Sequence, residues 1–97
     1  MKVGDVVTLK CYCLGNPIGT KGVIFNEYED FDVPNRMGVT IIFENGNYDG
    51  FSVEEQEVFL EKKEMKYISQ KIISYKFENV MKVSDDYRNG CWDEIFK

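Results

Sequence analysis

Histidine is absent from the 97 residues, and that omission removes a large part of enzymology. No imidazole can serve as general base, relay a proton or complete a Cys–His pair, so the triad chemistries are excluded. A cysteine without such a partner makes a poor nucleophile. Carboxylate-pair chemistry survives the omission, but nothing sets two of the 17 Asp and Glu residues apart from the rest. The expectation is a chain that is not an enzyme.

Cysteine is scarce and odd in number: Cys11, Cys13 and Cys91. Cys-Tyr-Cys is not the two-residue spacing of zinc ligands. A zinc site would need all three thiolates and a carboxylate brought from the far end of the chain. No metal and no cofactor is expected. No apolar run approaches the ~20 residues that span a bilayer, and the first ten residues, MKVGDVVTLK, lack the apolar stretch of a signal peptide. Free thiols without an export signal fit a reducing compartment, so the expected location is cytoplasmic, with no membrane partner. Internal repeats and low-complexity tracts are also missing.

What is present is globular in character: 43% hydrophobic and 14% aromatic residues. One domain of this length can bury roughly 60–68% of its unfolded surface. The net charge of −5 is uneven. Residues 1–64 hold six Lys/Arg against twelve Asp/Glu, and residues 65–97 hold six against five. An acidic body repels phosphate backbones, which disfavours nucleic acid as a partner. The discriminating feature is whether Lys66, Lys71, Lys76 and Lys82 gather on one face with Tyr67 or Tyr75.

The first two-thirds of the chain read as short strands. Val6 to Cys13 is rich in β-branched residues, with Val7, Leu9, Cys11 and Cys13 on one face. Gly15 to Gly22 is turn chemistry. Gly22 to Tyr28 and Gly38 to Glu44 follow as the second and third strands. Asn45-Gly46 between two β-like runs predicts a two-residue type I′ hairpin turn, which places Phe43 opposite Tyr48 and Ile41 opposite Gly50. Ser52 and Glu55 have capping-box spacing. One helical turn is expected over Val53 to Gln56, then a fifth strand over Glu57 to Glu61.

This order, together with VGDVV at the start, GTKGVIF leading into the second strand and FENGNYDGFSVEEQEVFL after the third, resembles the SH3-like small β-barrel of the KOW type. Similar barrels are found in uncharacterised bacterial and phage proteins. The resemblance covers about two-thirds of the chain. It implies a mainly β fold: a five-stranded barrel over residues 1–64, with residues 65–97 as a C-terminal extension packed on it. The first loop reads CYCLGNP rather than the Ala-Leu-Tyr-Asp-Tyr of signalling SH3 domains, so polyproline binding does not carry over. In the extension, Ile72 to Glu78 alternates as an extra strand. Ser84 followed by two Asp residues marks a helix start, Asn89-Gly90 marks its stop, and Trp92, Ile95 and Phe96 have helical spacing.

Two groups of residues are candidates for binding. Residues 26–35, NEYEDFDVPN, set Tyr28, Glu29, Asp30, Phe31 and Asp32 in the loop between strands two and three. Carboxylates beside aromatic faces suit Lys or Arg side chains. The same loop also reads as a plain solvated connection turned by Pro34 and Asn35. Its oxygens lack the Gly-punctuated spacing of a calcium loop. Tyr48 and Asp49 on the hairpin join this group if both loops lie at one end of the barrel. Trp92 reads either as core or as an exposed anchor. The functional expectation is a non-catalytic protein-interaction module whose partner carries a basic surface or segment. The alternatives are a nucleic-acid or ribosome-associated accessory barrel and a regulatory subunit of an enzyme.

Overall fold

Val23, Ile24 and Phe25 are consecutive in an extended strand, yet all three are fully buried. Successive strand side chains point to opposite faces, so the sheet must be covered on both. The computed structural model describes residues 1–13, 15–29, 36–66, 80–90 and 92–96. The extra strand expected at Ile72 to Glu78 lies outside these residues.

Five antiparallel strands form one sheet: β1 (Asp5–Leu9), β2 (Lys21–Glu29), β3 (Met37–Phe43), β4 (Tyr48–Phe51) and β5 (Leu60–Lys66), in the order β4-β3-β2-β1-β5. The fold is thus mainly β, as expected. Among the described residues β4 and β5 do not pair, so the sheet is not closed by hydrogen bonds. Ile24 opposes Ile41 and Asn26 opposes Thr40, which leaves Phe25 as the extra residue of a bulge. Phe25 is buried in one core cluster with Val23, and past the bulge Asn26, opposite Thr40, comes to that same face.

The two faces have separate cores. One holds Val7, Leu9, Ile24, Val39, Ile41, Phe43, Phe51 and Leu60, with Cys13 and Phe59 packed against it. The other holds Val6, Val23, Phe25 and Ile42 under Val83 and Trp92. Val7, Leu9 and Cys13 therefore share a core as expected, whereas Cys11 turns its Sγ toward the Val58 carbonyl, 3.7 Å away.

Helix α1 (Val53–Phe59) begins with the capping box read from sequence. Ser52 Oγ accepts from Glu55 N–H at 3.2 Å, and Glu55 Oε1 accepts from Ser52 N–H at 3.0 Å. The helix runs almost a turn further than expected, and β5 starts at Leu60 rather than Glu57. Gln56 explains the extension. It is buried, and its Nε2 donates to the carbonyls of Met37 and Phe51 at 3.0 and 3.2 Å. Those bonds hold the helix under β3 and β4, which overrides the strand character of Val58 to Leu60. β5 continues to Lys66, past the boundary expected at residue 64.

The helix expected to start at Ser84 instead spans Val80–Arg88 (α2), with Ser84 in its interior. The cap-like Ser-Asp-Asp run loses to packing: Val83 is buried in the second core, and Tyr87, one turn on, packs at its margin. Gly90, at φ 79°, ends the segment as read. Trp92 and Phe96, at either end of α3 (Asp93–Phe96), stack with ring centroids 6.2 Å apart. Trp92 is 2% exposed.

The β3–β4 hairpin corrects the expected register. Ile42, not Phe43, opposes Tyr48, and Thr40, not Ile41, opposes Gly50. Gly46 N–H donates to Phe43 O, and Phe43 N–H donates to Asn47 O, both at 2.8 Å. That is a three-residue loop with Gly46, at φ 90°, in the bulge position. Asn45 is better used as a turn former than as a left-handed residue, since its Oδ1 accepts from Asn47 N–H at 3.0 Å.

Candidate functional site

The one-residue change of register decides which hairpin side chains share a face. Tyr48 stands with Ile42 and Thr40, and Asp49 stands with Ile41 on the opposite side. At the tip, two contacts grip the loop from different directions. Asn45 Nδ2 donates to Asn16 Oδ1, from the loop between β1 and β2. The Tyr87 hydroxyl of α2 donates to the Glu44 carbonyl, and the same ring lies against Gly46, where an added Cβ would meet Tyr87 Cε1 at 2.8 Å.

Asn16 is polar yet only 2% exposed. A tight turn sets it in place: Cys13 N–H donates to Asn16 O at 3.0 Å, and Asn16 N–H donates back to Cys13 O at 2.8 Å. Between this loop and the hairpin opens a cleft of about 360 Å³ lined by Asn16, Gly46, Asn47, Tyr48 and Asp49. The lining carries one carboxylate, two amides and one aromatic ring, and no cation. Asp49 Oδ1 accepts from Gly50 N–H at 2.8 Å. Tyr48 is 43% exposed.

Asp49 also bears on Cys13, which packs against the core on the same face. Burial, and next the charges of Asp49 and Glu55, push the Cys13 thiol above its ordinary value of 9.0. Cys13 is thus an un-ionised thiol at neutral pH and a poor nucleophile. A thiol raised in the folded state favours folding below its unfolded value and loses that contribution as pH climbs through the folded value. At pH 8, Cys13 is expected to alkylate more slowly with iodoacetamide than Cys11, as read by fragment mass spectrometry of their shared peptide. Equal rates would contradict this environment.

The candidate residues read from sequence are only partly brought together. The Tyr28 ring lies over Gly38, and its hydroxyl would sit 3.2 Å from a Cβ on Gly50. Since Gly50 and Tyr48 alternate on one face of β4, Tyr28 and Tyr48 share that face. Asp49 does not. Glu29 ends β2, exposed, opposite Met37. Asp30, Phe31 and Asp32 lie outside the described residues, as do Lys71, Lys76, Tyr67 and Tyr75. Lys82 is exposed and 4.0 Å from Asp86, one helical turn along α2. Sequence reading passed over Asn16 and Asn47. Asn-Pro and Asn-Gly signal turns, and no local pattern reveals that two turns will meet.

None of the known protein families, curated proteins or solved structures compared with this chain matches it. Among the described residues, no helix is long and apolar enough to cross a membrane.

Proposed function

We propose that the chain is an SH3-like small barrel of the cytoplasm acting as a non-catalytic protein-interaction module, with a partner that presents a basic segment to the cleft between the first loop and the β3–β4 hairpin. The sheet order β4-β3-β2-β1-β5, with α1 leading the chain back so that β5 lies beside β1, supports the barrel reading. The observation that carries the functional reading is the cleft itself. It is bordered by Tyr48 and Asp49, has no cation among its lining residues, and belongs to the acidic two-thirds of the chain. Such a surface attracts basic groups and repels phosphates.

The test is capture of partners from the source cell by the wild type and by Tyr48→Ala/Asp49→Asn, at ~50 and ~200 mM salt, where the Debye length of roughly 10 Å at 0.1 M makes exposed charge contacts salt-sensitive. A protein held by the wild type, and lost both from the folded variant and at the higher salt, is the expected result. A partner retained by both proteins at both salts would sink the reading.

A further inference from the structure

Resting on that reading, we propose that the basic group received by the cleft is the free amino terminus of the partner chain, with its α-ammonium on the Asp49 carboxylate and its first carbonyl on the Asn16 side-chain amide. Asn16 is 2% exposed, and its Oδ1 is committed to Asn45. Its Nδ2 has no hydrogen-bond partner among the described residues and is not closed off from solvent. The small surface the residue keeps opens on the cleft that it lines. A donor this deep and still open calls for an acceptor supplied from outside. Asp49 comes from the same side. It stands with Ile41, on the face whose core Cys13 packs against, and Asn16 is directly opposed to Cys13 in the tight turn. The charge of Asp49 is felt at the Cys13 thiol. Its Oδ1 accepts from Gly50 N–H at 2.8 Å, which orients the carboxylate, and Oδ2 has no partner among the described residues. Tyr48 belongs to the other face and takes no part in this grip.

A ligand that answers both groups carries a cation and, next to it, a neutral oxygen. The amino terminus of a peptide has them in one residue, its α-ammonium and its first carbonyl. Lysine and arginine side chains bring donors alone and would leave the Asn16 donor unanswered. A free amino acid or a phosphate brings an anion to Asp49, with no positive group in the lining to offset it. A metal ion would find a single carboxylate, and among the described residues no three His, Cys, Asp or Glu side chains gather to hold one. The walls are built in advance. Asn16 is bonded to Asn45, and Tyr87 holds Gly46 from the far side. A cleft already fixed needs little ordering when a chain end enters. Its volume of about 360 Å³ is at the small end of ligand sites, in keeping with the first residues of a chain.

The experiment titrates the ¹⁵N-labelled full chain with three peptides and follows amide resonances. Gly-Gly-Gly-amide offers the free terminus. Acetyl-Gly-Gly-Gly-amide keeps the carbonyls without the charge, and acetyl-Gly-Lys-Gly-amide keeps a charge with no carbonyl beside it. At pH ~6.5, below the usual α-amino value of roughly 7.7–8.0, the free terminus is charged. Gly-Gly-Gly-amide is expected to shift the Asn16 side-chain amide and the Asn47 and Gly50 backbone amides. It should bind about fivefold or more tighter than either acetylated peptide, the worth of one screened charge-assisted contact. Asp49→Asn should weaken its binding about five- to tenfold. Glu57→Gln, the same charge change on an exposed residue of α1, should not. Equal binding of the three peptides, equal weakening by the two variants, or shifts away from the cleft would each overturn the assignment. In any of those cases, a partner captured by the wild type and lost from Tyr48→Ala/Asp49→Asn would leave the module reading standing.

Discussion

Replacing Trp92 by Ala is expected to lower stability by about 3–5 kcal/mol, the usual cost of truncating a large buried aromatic. Trp92 is 2% exposed and packs in one cluster with Val6, Val23, Phe25, Ile42 and Val83. Its removal opens a cavity over four sheet residues at once and takes away the surface on which Phe96 stacks. A domain of this size has a total stability of roughly 5–15 kcal/mol, so the variant should sit close to its unfolding threshold. Urea denaturation followed by circular dichroism reads the change as a lower midpoint with an unaltered slope. Trp92→Phe keeps much of the volume and should cost distinctly less. A loss below about 1 kcal/mol for the alanine variant, within the range of ordinary surface substitutions, would mean that the C-terminal segment is dispensable to the sheet, and the anchor role for Trp92 would regain its footing.

Gly46→Val should be the next most damaging single change, at about 3 kcal/mol. Two independent costs meet there. Gly46 has φ 90°, where an L residue loses roughly 1–2 kcal/mol and a β-branched one more. Its Cβ would also stand 2.8 Å from the Tyr87 ring, an overpacking that typically adds about 1–3 kcal/mol. The two separate in a double-mutant cycle with Tyr87→Ala. The contact term should vanish in the double variant and the backbone term should persist, a coupling on the order of 1 kcal/mol. An unchanged melting temperature for Gly46→Val would rule out the bulged turn.

Asn45-Gly46 shows where sequence reading stops. The dipeptide announces a hairpin, and there is one. A glycine at positive φ, however, serves a two-residue I′ loop and a three-residue bulged loop equally well, and β3 is buried on both faces from Gly38 to Phe43. Burial of β3 therefore does not reject the wrong register, and Tyr48 and Asp49, successive residues of β4, point to opposite faces in either one. Ser52 and Glu55 were legible because a capping box is local, its partners three residues apart. Gln56 and Asn16 were not, because their hydrogen-bond partners are brought in by tertiary folding: Met37 for one and Asn45 for the other. Ser84 misled for the same reason in reverse. A strong local start signal was overruled by Val83 and Tyr87 packing from either side of it. The five strands within residues 5–66 are legible because turn residues and a capping box punctuate the chain between them, whereas closure of the sheet is a property of no single segment.

A strand with both sides covered has no wet side to tell it which way round to lie. If β2 moved one residue along β3, Val23 and Ile24 would trade one oily environment for another, and water would take little notice. Something other than oil and water must therefore align this ladder, and the two missing side chains at its ends supply it. Gly22, opposite Phe43, leaves room that Ile41 fills, since a Cβ there would come within 2.6 Å of Ile41 Cγ2. Gly38, opposite Tyr28 at the other end, leaves room for that ring, since a Cβ there would come within 2.3 Å of it. A shifted strand would drive a side chain into each gap and leave Ile41 and Tyr28 with nowhere to go. The pair works like the wards of a lock, passing one alignment and jamming on its neighbours, so the position of β2 is specified by atoms the chain does not have.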